Sequence, residues 1–266
     1  MKVRTLEALG EGLDVVYDAT NLHSRTRRNM VKLVKERYPD TMCHCILVLC
    51  PIKECKRRQS GRDRQVPDEV IDRMARSYQV PYFHEGWDGI YMYSNGGQQD
   101  IEREHDRMQE TAHDNPHHTT GSINAHCTRA LSAMIDLVAQ GTEPTTTTDM
   151  EDIQRLLKEA AYQHDVGKRK TKIFHNTKGE PTDVAHFYGH ENVGAYLWLS
   201  GDMQAKDNWD DWSFLTIGLL IQLHMMPYTF LNRSKEELVN WCSRRGYDPW
   251  IADWVWLIHL ADKAAH

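Results

Sequence analysis

Long apolar runs are missing from this chain of 266 residues. A membrane-spanning helix needs about 20 consecutive apolar residues, and the N-terminal stretch MKVRTLEALGEG also lacks the apolar centre of a signal peptide. Positive charge is not in excess either, because the formal net charge is −6. A surface for nucleic acid would therefore have to be local. We expect a cytoplasmic protein that makes no contact with a membrane.

Cysteine is scarce and unevenly placed. Four of the six cysteines are crowded into CHCILVLCPIKEC, at Cys43, Cys45, Cys50 and Cys55. This crowding is not typical of a disulfide framework in a chain of this length, and it lacks the paired C-x-x-C spacing of most zinc sites. We interpret CHCILVLC as a buried strand in which cysteine acts as a small apolar residue, in a reducing compartment.

The chain divides into two parts with different patterns. Residues 1–95 alternate strand and helix signals, which predicts a parallel α/β arrangement. The predicted strands are DVVYDAT (14–20) and MCHCILVLC (42–50), and the predicted helices cover 24–38, 52–59 and 67–79. Residues 100–266 show helical periodicity and almost no strand signal. The predicted fold is mainly α, a helical bundle after a partial α/β segment, with a linker at 94–100 and a polar loop at 141–149.

Histidine is abundant, with fifteen residues that concentrate after residue 100. Six imidazoles and carboxylates lie on or beside the predicted helices: His126, His164, Asp165, His190, His224 and Asp262. A metal site in a helical bundle draws single side chains from several helices. Imidazole and carboxylate together suit divalent metals of the middle first row, and the lack of nearby thiolates argues against structural zinc.

These elements resemble the HD superfamily of metal-dependent phosphohydrolases, whose signature is an early His, a His-Asp doublet and a late Asp. The similarity is closer to the HD domain of tRNA nucleotidyltransferases, over about residues 105–266. It is carried by DNPHHTTGSINAHCTRAL, AAYQHDVGKRKTK, HFYGHENVGA, LLIQLHMMP and LIHLADKAA. The resemblance implies an all-helical HD bundle that cleaves a phosphomonoester or phosphodiester on nucleotides or RNA ends.

The same resemblance implies a set of ligands for one or two ions of Mn, Fe, Ni or Co, or of Mg. One ion would be bound by His126, His164, Asp165 and Asp262, and a second by Asp165, His190 and His224. Asp165 would bridge the two ions and so be essential for catalysis. In the alternative, a single ion is bound, and His190 and His224 contact phosphate instead.

A cationic run follows the His-Asp doublet. Lys168 would pair with a phosphate oxygen of the substrate as a second catalytic residue, and Arg169 and Lys170 would attract a polyanion. Gly167 would let the chain leave the helix beside the phosphate. The alternative is a solvated run of charges with no such role.

The N-terminal part resembles a second family, the P-loop polynucleotide kinases. VVYDATNLHSRTRR is similar to their strand-end motif, and CKRRQSGRDRQVPDEVIDRM to the lid whose arginines cover ATP. The lid candidates are Arg57, Arg58, Arg62 and Arg64. The phosphate-binding motif G-x-x-x-x-G-K-[ST] is absent from the whole sequence. We therefore expect a chain that starts inside a longer kinase-like domain, with lid arginines that are solvated rather than functional.

From these patterns we predict an HD-type phosphohydrolase with a binuclear metal site, acting on nucleotides or RNA ends. A small-nucleotide phosphatase or a cyclic-nucleotide diesterase is a related alternative. A third hypothesis is a non-catalytic remnant whose α/β segment docks on a partner or on a second copy, through the apolar face that a missing strand would leave exposed.

Overall fold

The computed structural model describes residues 2–95, 111–116, 121–141, 150–201, 209–229 and 234–266. The predicted linker at 94–100 and the predicted loop at 141–149 lie almost entirely outside these residues. The N-terminal part contains α1 (Lys2–Gly10), α2 (Ser24–Arg37), β1 (His44–Leu49), α3 (Ile52–Gln59), α4 (Asp68–Arg76) and β2 (Gly89–Ser94).

The rest of the described chain is helical apart from one hairpin. Its elements are α5 (Ile123–Ala139), α6 (Met150–Gln163), α7 (Lys168–Thr171), β3 (Ile173–His175), β4 (Pro181–His186), α8 (His190–Gly201), α9 (Asp211–Leu223), α10 (Met226–Thr229), α11 (Lys235–Arg245) and α12 (Pro249–Ala264). The prediction of a mainly α chain with a partial α/β segment is confirmed. None of the described helices combines the length and apolarity needed to cross a membrane.

Strands β1 and β2 pair in parallel, with His44 opposite Gly89. The predicted strand at 42–50 is therefore present, but only one of its faces is buried. Leu47 and Leu49 point into the core, whereas Ile46 and Val48 are each 63% exposed. Because parallel sheets are usually covered on both faces, this exposed apolar face is unusual.

One of the two predicted strands is absent, and one hairpin was not predicted. The segment DVVYDAT has no regular secondary structure, and Val16 is 92% exposed. Within the described residues β1 pairs with β2 alone, so this segment forms no strand pair with them.

The hairpin β3–β4 was missed because its strands are short and largely polar. Its turn is stabilised by Asn176, whose side-chain oxygen accepts hydrogen bonds from the backbone N–H groups of Lys178 and Glu180, and by Gly179 at φ +82°.

The hydrophobic core is continuous across the two parts of the chain. Helix α9 lies at its centre, with every residue from Ser213 to Leu223 buried. The N-terminal part is joined to this helix by hydrogen bonds. The backbone N–H of Val80 donates to Gln222 Oε1 at 3.0 Å, and the Tyr82 and Thr216 hydroxyl groups are 2.9 Å apart. The α/β segment therefore packs directly on the helices that carry the histidines.

A buried ion pair anchors the start of α2. Arg27 and Glu85 form two parallel hydrogen bonds of 2.8 and 2.6 Å. The same guanidinium group also donates to the backbone carbonyls of Asn21 and Gln79, and the Trp87 indole N–H donates to the Glu85 carboxylate. Both charges are thus compensated inside the protein, as a buried ion pair requires.

Candidate metal centre

Six side chains that are distant in sequence converge in the helical part. They come from α5, the turn after α6, the first residue of α8, the residue after α9, and α12: His126, His164, Asp165, His190, His224 and Asp262. All six are buried. The structure thus brings together every metal ligand that the sequence predicted.

The first group of donor atoms surrounds His126. Its Nε2 atom lies 2.9 Å from Asp262 Oδ1, 3.3 Å from His164 Nε2 and 3.5 Å from Asp165 Oδ2. His164 Nε2 lies 3.4 Å from Asp165 Oδ2 and 3.5 Å from Asp262 Oδ1. Ligands bound to one ion at about 2.0–2.2 Å are separated from one another by roughly 3.0–3.5 Å. The donor atoms of His126, His164 and Asp165 therefore fit around a single cation, and Asp262 lies within the same range of His126 and His164.

A second group shares the carboxylate of Asp165. Its other oxygen, Oδ1, lies 3.2 Å from His190 Nε2 and 3.7 Å from His224 Nε2. The two imidazole Nε2 atoms are 3.2 Å apart. Because each oxygen of Asp165 faces a different group, this carboxylate has the geometry of a bridge between two ions.

Three of the histidines are oriented by the same backbone contact. The Nδ1 atoms of His164, His190 and His224 lie 2.7–2.8 Å from the carbonyl oxygens three residues earlier in the chain. A carbonyl oxygen can only accept a hydrogen bond, so Nδ1 carries a proton and Nε2 is the nitrogen that faces the cluster. This is the usual orientation of metal-binding imidazoles.

The electrostatics of the cluster favour bound positive charge. Burial alone would raise the pKa of Asp165, but Lys168 and His164 hold it well below its ordinary value. Asp262 likewise keeps a pKa well below its ordinary value in spite of burial, through hydrogen bonds with His126 and His164. Burial, together with the neighbouring His164 and His190, lowers the pKa of His224 to about 3. The carboxylates are thus ionised and His224 is neutral, which are the forms that bind metal. Asp165 and Asp262 raise the pKa of His164 well above its ordinary value in spite of burial, so a metal that binds there displaces its proton.

The position of the doublet depends on Gly167. Helix α6 ends at Gln163, so His164 and Asp165 lie in a turn rather than on a regular helix. A Cβ atom at Gly167 would overlap the carbonyl oxygen of His190 and lie 2.6 Å from the backbone nitrogen of Gly194. Only glycine allows this turn to pack against α8, and that packing brings the Asp165 carboxylate to His190.

The side chains of Lys168, Arg169 and Lys170 lie in different environments. Lys168 is buried, with its Nζ atom 2.6 Å from Asp165 Oδ2 and 5.4 Å from the Phe187 ring centre. Arg169 is half-buried. Lys170 is exposed and lines a separate cleft with Lys53 and other residues of the N-terminal part. Of the three cations, Lys168 is thus the one in direct contact with a predicted metal ligand.

The predicted lid arginines do not approach the cluster. Arg57 and Arg58 both pair with Glu54, at 2.7 and 2.6 Å. Arg62 and Arg64 are exposed in the turn between α3 and α4. Each of these cations is thus either held by a carboxylate or open to solvent.

Two further side chains contact the cluster but were not predicted from the sequence. The Tyr228 hydroxyl donates to Asp262 Oδ2 at 2.8 Å, and His266 Nε2 lies 3.6 Å from Asp262 Oδ1. His266 follows Asp262 by four residues, a spacing that places both side chains on one face of a helix. That spacing could have identified His266 from the sequence, whereas no sequence pattern links Tyr228 to the cluster.

Comparison with known proteins bears on the N-terminal part. Residues 1–81 match the family described as AAA domain. The N-terminal segment is therefore kinase-like. The chain also resembles the L-seryl-tRNA(Sec) kinase of Methanococcus maripaludis, with 30% identity over 82 residues, or 31% of each chain. The chain thus matches about a third of the length of this curated relative.

These matches contradict the predicted function. A phosphohydrolase of the HD type was expected, but the matches found are to an AAA domain and to a tRNA kinase, and neither is an HD-type hydrolase. The physical reason for the error is that a cluster of histidine and aspartate side chains favours the binding of a divalent metal but does not identify the reaction. They do not specify whether water or another hydroxyl group accepts the phosphoryl group. The prediction of a hydrolase is therefore wrong.

Proposed function

We propose that this protein performs kinase-like phosphate chemistry on a nucleotide or on an RNA such as a tRNA. In this proposal the helical part, an HD-type bundle, binds one phosphate of the substrate at a pair of divalent ions. The observation that carries the proposal is the Asp165 carboxylate, whose two oxygens face two separate groups of donor atoms. The kinase-like match of residues 1–81 supports the class of substrate.

The assignment of ligands to the two ions follows the distances between their donor atoms. The first ion would be held by His126, His164, Asp165 and Asp262, and the second by Asp165, His190 and His224. The mixture of imidazole and carboxylate suits Mn, Fe, Ni or Co, with Mg as a harder alternative. Such ions, when bound, act as Lewis acids on phosphoryl oxygens.

The remaining residues would position the ligands and the phosphate. Backbone carbonyls fix the rings of His164, His190 and His224, so that little reorganisation is needed when an ion binds. Tyr228 orients Asp262 through its hydroxyl group. Lys168 keeps Asp165 ionised and places an ammonium group beside the cluster, where it can donate to a phosphate oxygen.

His190→Ala and His224→Ala should each lower the metal content from about two ions to about one per chain. Both imidazoles serve only the second group of donor atoms, while the first group keeps its four ligands. Metal analysis of protein desalted after loading with Mn²⁺ measures the ratio. His186→Ala is a matched control, because this histidine stacks on Tyr188 outside the cluster. An unchanged ratio in both variants would mean a single ion, with His190 and His224 as phosphate contacts.

Lys168→Ala should retain the metal but weaken the binding of a nucleoside monophosphate by roughly 10- to 100-fold, the loss of one charge-assisted contact. Calorimetric titration of the Mn²⁺-loaded protein measures this change. Lys170→Ala is the control, because Lys170 lines a different cleft. If only the combined loss of Lys168, Arg169 and Lys170 weakened binding, these side chains would be a solvated run without a specific role.

A further inference from the structure

A second cleft lies beside the metal cluster and is not part of it. It has a volume of about 1000 Å³ and runs between α2 and α11. Its floor includes Glu191 and Asn192, which follow His190, and Gln222 and Leu223, which precede His224. The cleft is therefore bordered by the same helices that carry two of the metal ligands.

One wall of the cleft is a stripe of cations on α2. Arg25, Arg28, Lys32 and Lys35 all line it, at a spacing of three or four residues that keeps them on one helix face. At 1.5 Å per residue the stripe is about 15 Å long. That length exceeds what a single phosphate group needs, and it suits a chain of phosphates.

Most of these charges remain available for a ligand. Lys35 is paired with Asp88, and Lys32 makes only an exposed contact with Glu36. Among the described residues, no carboxylate pairs with Arg25 or Arg28, nor with Arg244 of the opposite wall. The net charge of the whole protein is negative, so this concentration of arginine is a local feature.

The opposite wall adds a stack of planar groups. His84 lies on Tyr247, with ring centres 3.8 Å apart. Tyr247 lies nearly parallel to Trp241, at 5.7 Å and 14°, and the guanidinium group of Arg245 lies 4.1 Å from the Trp241 ring centre. Aromatic and guanidinium planes of this kind are what nucleic-acid bases stack on.

We propose that this cleft binds a single-stranded nucleic acid. The phosphates would contact Arg25, Arg28 and Arg244. The bases would extend the stack at its Arg245 end, because Tyr247 lies between His84 and Trp241 and Trp241 lies between Tyr247 and Arg245. An acidic peptide would use the arginines but would gain nothing from the planar groups. A mononucleotide would leave most of the stripe on α2 without a partner.

This inference extends the proposed function. It rests on that function only in assuming that phosphate chemistry takes place at the metal cluster. Binding of the strand itself requires no metal. The two proposals can therefore fail separately. If the protein binds the strand but no metal, the proposed metal centre is wrong. If it binds metal but not the strand, the proposed role of the cleft is wrong.

The test measures the anisotropy of a fluorescein-labelled RNA 12-mer with the full chain in EDTA. Replacing Arg28 and Arg244 by glutamine should weaken binding by roughly tenfold or more at low salt. It should also reduce the slope of log K against log salt by about 1.4, or 0.7 for each lost phosphate contact. The control replaces Arg37 and Arg129 by glutamine. It removes the same charge from exposed positions outside the cleft and should change neither quantity.

Trp241→Leu tests the stacking separately, because leucine keeps apolar packing but removes the ring that holds the guanidinium plane of Arg245. We expect binding to weaken by roughly 5- to 100-fold with an unchanged salt slope. Circular dichroism and metal content serve as controls for folding. A DNA 12-mer of the same sequence should bind by the same residues, and polyglutamate should not compete. Equal losses in the cleft and control variants, or competition by polyglutamate at similar charge concentration, would overturn the proposal.

Discussion

Asp165→Ala is expected to reduce the bound metal from about two ions per chain to nearly none. Each oxygen of this carboxylate faces a different group of histidines, at 3.4 Å from His164 Nε2 and at 3.2 Å from His190 Nε2. Its removal takes one ligand and one negative charge from both ions at once. The cation Lys168 then remains buried without its partner, which further opposes the binding of positive charge.

Metal analysis after gel filtration measures this loss, and the shift of the melting temperature on adding Mn²⁺ gives a second readout. Asp136→Ala is the matched control, because Asp136 is exposed near the end of α5 and should leave both readouts unchanged. Asp165→Asn, which keeps the volume and one oxygen, separates the loss of charge from a cavity effect. If Asp165→Ala retained one full equivalent of metal, the carboxylate would not be a bridge.

Glu85→Ala should lower the free energy of unfolding by about 3–5 kcal/mol, because it leaves the guanidinium group of Arg27 buried and unpaired. This guanidinium group also holds the backbone at Asn21 and Gln79. The loss should therefore loosen the start of α2 and the segment before it. Urea denaturation followed by circular dichroism measures the change.

Lys32→Ala provides the control for this experiment, because the pair of Lys32 and Glu36 is exposed and should contribute at most about 0.5 kcal/mol. The double replacement Arg27→Met with Glu85→Leu should cost clearly less than the sum of the single changes, since no charge remains buried. A cost below about 1 kcal/mol for Glu85→Ala would mean that water reaches Arg27 and replaces the carboxylate.

The six candidate ligands could be named from the sequence because short, spaced elements carry the resemblance to the HD superfamily. A helical period, a histidine next to an aspartate, and a glycine after them can each be read from a few residues. The hairpin β3–β4 and the irregular segment at 14–20 were predicted wrongly, because strand formation depends on partners that local sequence does not specify. The buried pair of Arg27 and Glu85 was missed for the same reason, since its members are separated by 58 residues.

The function was predicted wrongly for a different reason. A resemblance in the helical part was extended to an activity, while the comparisons place the N-terminal 81 residues with kinase-like proteins. Function depends on which hydroxyl group or water molecule accepts the phosphoryl group. The ligand pattern of a metal centre contains no information about that acceptor.

By itself, the sequence determined the helical character of the second part, the identity of the six candidate ligands and the missing phosphate-binding loop of the first part. Only the tertiary structure decided that the two oxygens of Asp165 face different groups of histidines, and that α2 and α11 bring arginines and stacked rings to one cleft. The physical reason is the range of the interactions. Helical periodicity arises within a few residues, whereas His126 and Asp262 meet across 136 residues of chain, and their distance depends on how every intervening helix packs.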